Sequence, residues 1–180
     1  MKNLISLFCI IVFLLLDLIS CASTKKITEP VDFPLLKENP VFNISGNNIK
    51  VQAENFFISD SDGARILHDN NADEGFCVQL KDKSVYISSD FVLSKGFWEI
   101  LLCEKASING KCNFVLSLND FLYKVKPSDP PLGTWELTTR TPCYYNAEEN
   151  QTVRITIMPD FKNQYLTSGP KIDYILFIKR

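Results

Sequence analysis

Apolar and polar positions along the chain change places in short runs, and no helical stripe of about twelve residues develops anywhere after the N-terminal leader. The runs are "IKVQAENFF", "FCVQL", "SVYISSDFVL", "FWEILLCE", "CNFVLSLN", "FLYKVKP", "TWELTTRTPCYY", "QTVRITIMP" and "KIDYILFIKR". Between them stand turn-forming stretches such as "SDSDG", "KDK", "SKG", "ASINGK", "SDPPLG" and "NAEEN". Short strands rich in Val, Ile, Phe, Tyr and Thr, recurring at this spacing, predict an all-β sandwich. No internal repeat is visible.

Two of these runs carry polar side chains where a core-facing strand would not. In "VQAENFF", Val51 and Ala53 alternate with Gln52 and Glu54, so an amide and a carboxylate share one face just before Phe56 and Phe57. "KIDYILFIKR" is apolar on both faces, the mark of a strand covered on both sides. Ile172, Tyr174, Leu176 and Ile178 line one face, and Asp173 shares the other with Ile175 and Phe177. A carboxylate there is costly unless something neutralises it.

The N-terminal residues do not belong to the sandwich. Lys2 precedes the apolar stretch "LISLFCIIVFLLLDLI", which is short for a membrane span and fits a secretory leader over residues 1–22. Ser20 and Ala22 have the spacing for cleavage after Ala22, while "LISC" would alternatively make Cys21 a lipidated N-terminus. Residues 23–45, with three prolines in "EPVDFPLLKENP", read as an N-terminal extension, and 46–180 as the folded domain. The mature portion is long enough for one domain with its own core. A net charge of −2 offers no basic face for nucleic acid.

Cysteine usage agrees with export. Cys77, Cys103, Cys112 and Cys143 remain after the leader, an even number suited to an oxidising compartment. Four cysteines allow three pairings, among which the sequence alone does not choose; Cys103 and Cys112 bracket a short loop, so a bridge across a hairpin is the simplest, leaving Cys77 with Cys143. No CxxC or nearby His supports a cysteine metal site. The sequons at Asn43 and Asn150 mark glycosylation sites if the source is eukaryotic.

Catalytic chemistry finds little support, and the chain reads as a non-enzyme. His68, the single histidine, sits in "ILHDNNAD" without a nucleophile elbow or reactive cysteine context. Glu104, Glu136, Glu148 and Glu149 show no spacing that singles out an acid–base pair. "DSDG" at Asp60–Gly63 lacks the rest of a calcium loop and predicts a tight turn with Gly63 at positive φ. Trp135 reads as a core or rim aromatic, with a sugar platform as the second reading.

The odd polar strands acquire a meaning from their order. An "AE" strand near the start, "GFWEILLCEKA", "FVLSLND", a Gly-Trp strand, "QTVRITI" and a terminal "IDYI" follow one another over roughly residues 48–180. That order resembles the carbohydrate-binding modules of families six and thirty-five, jelly-roll β-sandwiches of galactose-binding-like type. The resemblance implies one structural calcium held by Gln52, Glu54 and Asp173 with backbone carbonyls, a hard-oxygen shell suited to that ion. Pairing of these carboxylates with Arg or Lys is the alternative. The resemblance also implies a glycan site at one end of the sandwich. Here Trp135, Phe76 and Lys171 would build it, and Lys171 would suit an acidic sugar. The match departs from the family pattern at Lys171, where an Asn is usual, at Gln79, where a Tyr or Trp is common, and at Thr138. The same departures would suit a module that has lost sugar binding and serves a protein partner.

Overall fold

The computed structural model describes residues 36–106, 113–127, 133–160 and 169–180. The leader with Cys21, most of the extension, and Cys112 lie outside the described residues. The strands are β1 (Val41–Ile44), β2 (Ile49–Gln52), β3 (Phe57–Ile58), β4 (Ala64–His68), β5 (Phe76–Leu80), β6 (Ile87–Leu93) and β7 (Gly96–Lys105). They continue as β8 (Asn113–Leu118), β9 (Phe121–Val125), β10 (Glu136–Leu137), β11 (Cys143–Ala147), β12 (Gln151–Asp160) and β13 (Lys171–Lys179). One sheet runs β1-β6-β12-β8-β9 with β3 on β6. The other runs β10-β7-β13-β5-β4 with β11 on β7 and β2 on β13. The architecture is the expected all-β jelly-roll sandwich.

The alternation read from the sequence appears as burial. In β12, Val153, Ile155 and Ile157 turn into the sandwich while Thr152 and Arg154 face solvent. Arg154 then forks onto Asp90 of the neighbouring β6 with bonds of 2.7 and 2.8 Å. In β7, Trp98, Ile100 and Leu102 enter the core. The indole Nε1 of Trp98 donates to the Ser94 carbonyl at 2.9 Å, so its polar atom is satisfied inside the fold. The centre of the core is aromatic. Phe91 lies with its ring centroid 4.8 Å from Phe177 and 5.7 Å from both Phe42 and Phe56. Each fully buried Phe of this group contributes about 1.5–3 kcal/mol.

Several expectations change. Residues 41–44, placed in the extension by the sequence reading, form β1, which pairs in parallel with β6 and buries Ile44. β4 was hidden in the polar surroundings of "ARILH". The run "TWELTTRTPCYY" breaks into β10 and β11, both paired to β7. Gly63 is not at positive φ. Its carbonyl accepts the amides of Lys81 and Asp82, and an added Cβ would stand 3.1 Å from Asp82 and Val85.

The expected pairing of Cys77 with Cys143 is corrected as well. Cys77, Cys103 and Cys143 are buried free thiols. β7 and β8 are not a hairpin, because β7 belongs to one sheet and β8 to the other. The expected bridge from Cys103 to Cys112 involves a residue outside the described ones. Cys143 sits in the main core, whereas Cys77 packs with Leu67 and Ala72 in a separate cluster. Side chains directed to opposite faces of a sheet cannot meet the geometry of a disulfide.

Candidate functional site: a polar clasp and a charged aromatic cluster

β2 stops at Gln52, and Ala53–Asn55 fold into a 3-10 turn. Gln52 and Glu54 are thus not neighbours on one strand face, as the alternation suggested. Gln52 stands opposite Tyr174 in the β2–β13 register. Along β7 the partners of β13 jump from Ile172↔Glu104 to Ile175↔Leu102, leaving Asp173 and Tyr174 opposite Cys103. This β-bulge puts Ile172 into the core together with Ile175 and Phe177, against the simple alternation. Asp173 is freed from that face. Its Oδ2 lies 3.9 Å from Cys103 Sγ and accepts the Asp73 backbone N–H at 2.8 Å.

Asp73 is the member that sequence reasoning missed. It begins the 3-10 turn Asp73–Gly75, and its Oδ2 accepts from Gln52 Nε2 at 2.9 Å and from Lys50 Nζ at 3.1 Å. Glu74 and Gly75 of that turn both have positive φ, which the glycine tolerates without cost. The available signal was "ADEG", an acidic turn directly before a strand.

The clasp holds unsatisfied oxygens. Gln52 Oε1, Glu54 Oε2 and Asp173 Oδ1 are buried without a hydrogen-bond partner. Burial, together with neighbouring carboxylates, pushes the Glu54 carboxyl up to about 7 and that of Asp173 up to about 6. Among the described residues no three His, Cys, Asp or Glu side chains gather as a metal set. Two carboxylates and an amide nevertheless supply hard oxygen donors of the kind calcium takes, and backbone carbonyls or water would have to complete the shell.

A second group lies at the start of β13. Asp69 is buried and accepts Lys105 Nζ at 2.9 Å, with Lys171 Nζ at 3.7 Å. Lys105, Lys171 and a bond from the Asn71 amide outweigh burial and hold the Asp69 carboxyl below its ordinary range. Lys105 Nζ also stands 5.3 Å from the centre of the Trp135 ring, which packs on Leu67, Ala72 and Cys77. Trp135 and Lys171 are therefore linked through Lys105 and Asp69. Phe76 is not with them. It packs against the main core, and its ring meets His68 edge-on at 5.5 Å.

The family departures have structural roles. Gln79 is buried, accepting from Arg65 Nε at 3.1 Å and donating to the Gly169 carbonyl at 3.2 Å. Thr138 Oγ1 accepts the Leu102 amide at 3.0 Å, bridging the gap between β10 and β11. Of the sequons, Asn43 is exposed on β1, and Asn150 is exposed in the β11–β12 turn with its Oδ1 on the Lys95 amide at 3.0 Å.

No protein-family model matches the sequence, and no curated protein does. Solved structures do match. The chain is similar to the C-terminal family 6 module of a laminarinase from Zobellia galactanivorans, at 16% identity and a TM-score of 0.52 over 74% of this chain and 100% of that one. It is similar to a family 6 module of lichenase 5A from Cellvibrio mixtus, solved with cellotriose, at 15% identity and 0.55 over 75% and 99%. A family 35 module from Clostridium thermocellum matches at 14% identity and 0.54 over 75% and 100%. The fold is that of the family 6 and family 35 modules. The resemblance drawn from strand order thus holds for the fold, which alone does not carry a ligand across.

Proposed function

We propose that the protein is a secreted, non-catalytic glycan-binding module with one structural calcium in the clasp of Gln52, Glu54 and Asp173. The observation that carries this reading is the set of three buried oxygens, Gln52 Oε1, Glu54 Oε2 and Asp173 Oδ1, left without hydrogen bonds where β2 meets the bulge of β13. A cation there would satisfy all three and return both carboxylates to their charged form. Calcium supplies charge and coordination, not chemistry. The residues around it hold the 69–75 loop against β13.

The glycan would meet the group at the other side of that loop. Two part-buried amines, Lys105 and Lys171, converge on the carboxylate of Asp69, and Lys105 also stands over the Trp135 ring. The two amines are what supports an acidic sugar in this reading. Binding there should weaken with salt, since the attraction is ionic. Among the described residues no helix is long and apolar enough to cross a membrane. Export therefore rests on the leader read at residues 1–22, with a lipid anchor at Cys21 as its alternative.

A protein-interaction module on the same scaffold is the second reading. It is favoured by Phe121 and Leu122, which stand side by side on β9 at 68% and 69% exposure. A glycan array probed with the protein, with and without calcium, separates the two. Binding to uronic-acid glycans that Trp135→Ala and Lys171→Ala abolish supports the module reading. Absence of any glycan binding at millimolar concentration overturns it.

A further inference from the structure

β9 ends the six-stranded sheet, with β8 on one side of it and no strand among the described residues on the other. The two strands are joined by a two-residue turn at 119–120, so Leu118 and Phe121 form the closing pair. Bonded and non-bonded pairs alternate along such a hairpin. The backbone groups of Phe121, Tyr123 and Val125 therefore point at β8, and those of Leu122 and Lys124 point away from it. Lys126 keeps the same phase. Its N–H donates to Thr141 Oγ1 at 3.0 Å, and its carbonyl accepts from that hydroxyl at 3.5 Å. Thr141 thus closes the edge at Lys126, and among the described residues no strand closes it at Leu122 and Lys124.

Folded proteins usually blunt an open edge with charge, proline or a bulge. Here Phe121 and Leu122 stand on it at 68% and 69% exposure. The sequence around them is complementary to itself. Laid antiparallel about Leu122, a second copy of β9 sets Leu122 against the partner's Leu122 and Phe121 against the partner's Tyr123. The same register sets Asp120 against the partner's Lys124, and the two-fold axis makes that pair twice. Asp120 and Lys124 are both exposed, and neither enters an ion pair among the described residues. The outward N–H and C=O of Leu122 then face those of the partner's Leu122, as in a hydrogen-bonded pair. A slip of one residue sets outward backbone against inward backbone and separates the Asp–Lys pairs. A slip of two sets the partner's Asp120 against Lys126, whose edge Thr141 already occupies.

We infer that β9 is a self-association edge, on which a second copy of this chain adds its own β9 and continues the sheet across a two-fold axis. The contact spans residues 120–124, which is small, so the dimer belongs to the weak and reversible class. Each dimer carries two copies of whatever site the sandwich holds, and a ligand with repeated epitopes is then held more tightly than by one copy. The inference does not rest on the glycan reading. It gives Phe121 and Leu122, which favour the second reading, a defined partner.

Sedimentation velocity of the whole protein over a rising concentration series reads the association. The parent should pass from monomer to dimer, more readily at low salt. Asp120→Lys and Lys124→Asp each set like charges against one another twice, and each should weaken the dimer roughly ten-fold or more. Mixed in equal amounts, the two variants should pair with each other. The introduced lysine then meets the introduced aspartate, and the native Lys124 meets the native Asp120. A variant that had merely lost its fold would not be rescued in this way. A parent that stays monomeric into the millimolar range overturns the inference and leaves Phe121 and Leu122 to a different protein, while glycan binding on the array stands or falls separately. A dimer that both variants form as well as the parent, or a mixture that stays monomeric, overturns it too.

Discussion

The backbone N–H of Asp73 donates to Asp173 Oδ2 at 2.8 Å, joining two residues 100 positions apart in the chain. The bond ties the acidic turn before β5 to the bulge of the last strand. It also brings the Asp73 carboxylate toward that of Asp173, which raises the latter. Lys50 and Gln52 offset this on the Asp73 side by donating to its Oδ2. No such donor reaches Asp173 Oδ1 or Glu54 Oε2.

The metal-free clasp makes stability depend on pH. Glu54 rises from 4.5 to about 7 and Asp173 from 3.8 to about 6. The folded state therefore binds protons that the unfolded chain has released. Their contribution is full below about pH 4 and is lost as pH climbs through about 6 to 7, on the order of 3 kcal/mol for Glu54 alone. Tm measured in chelator should fall between pH 5 and pH 8, and Glu54→Gln should remove most of the slope. A flat profile for the parent protein would refute the buried-carboxylate account.

Calcium should reverse that slope. Free ion at 100 times its Kd adds about 2.7 kcal/mol, so Tm at pH 7.5 should rise on addition and fall with chelator. Asp173→Asn should abolish the response while sparing the Asp73 contact in part. An equal response in parent and variant would place the ion elsewhere.

The three buried thiols should be inert. Burial pushes Cys77, Cys103 and Cys143 up to about 12, where the reactive thiolate is scarce. Iodoacetamide at pH 8 should label them only after denaturation, and reductant should leave Tm unchanged. Recovery of a peptide linking Cys77 to Cys143 without reduction would contradict the placement of these residues on opposite sides of their sheet.

Phe91 is the keystone of the aromatic core. Its ring contacts those of Phe42, Phe56 and Phe177, which come from β1, the segment after β2, and β13. Phe91→Ala should cost about 3–5 kcal/mol, read as a shifted urea midpoint. Phe97→Ala, at an exposed position of the neighbouring sheet, should cost far less. Comparable losses would mean that the exposed ring is part of the core.

The sequence by itself determined the class of fold. Alternation in β12 and the two-sided apolar run of β13 were legible because period-two burial follows from backbone geometry alone. It also exposed Gln52, Glu54 and Asp173 as misfits, because a polar side chain in an apolar pattern is visible without knowing its neighbours. Where the misfits go was decided by tertiary structure. The bulge opposite Cys103 and the 3-10 turn after Gln52 depend on strand partners that are distant in sequence. Asp73 could not be found for the same reason, since its part in the clasp is a bond across 100 residues. The hairpin expected of β7 and β8 failed on sheet membership, for adjacent runs look like a hairpin until the two strands are seen to lie in different sheets. Trp135 and Lys171 are linked only because the buried Asp69 draws Lys105 and Lys171 together while Lys105 covers the Trp135 ring, and those contacts exist only in the folded chain.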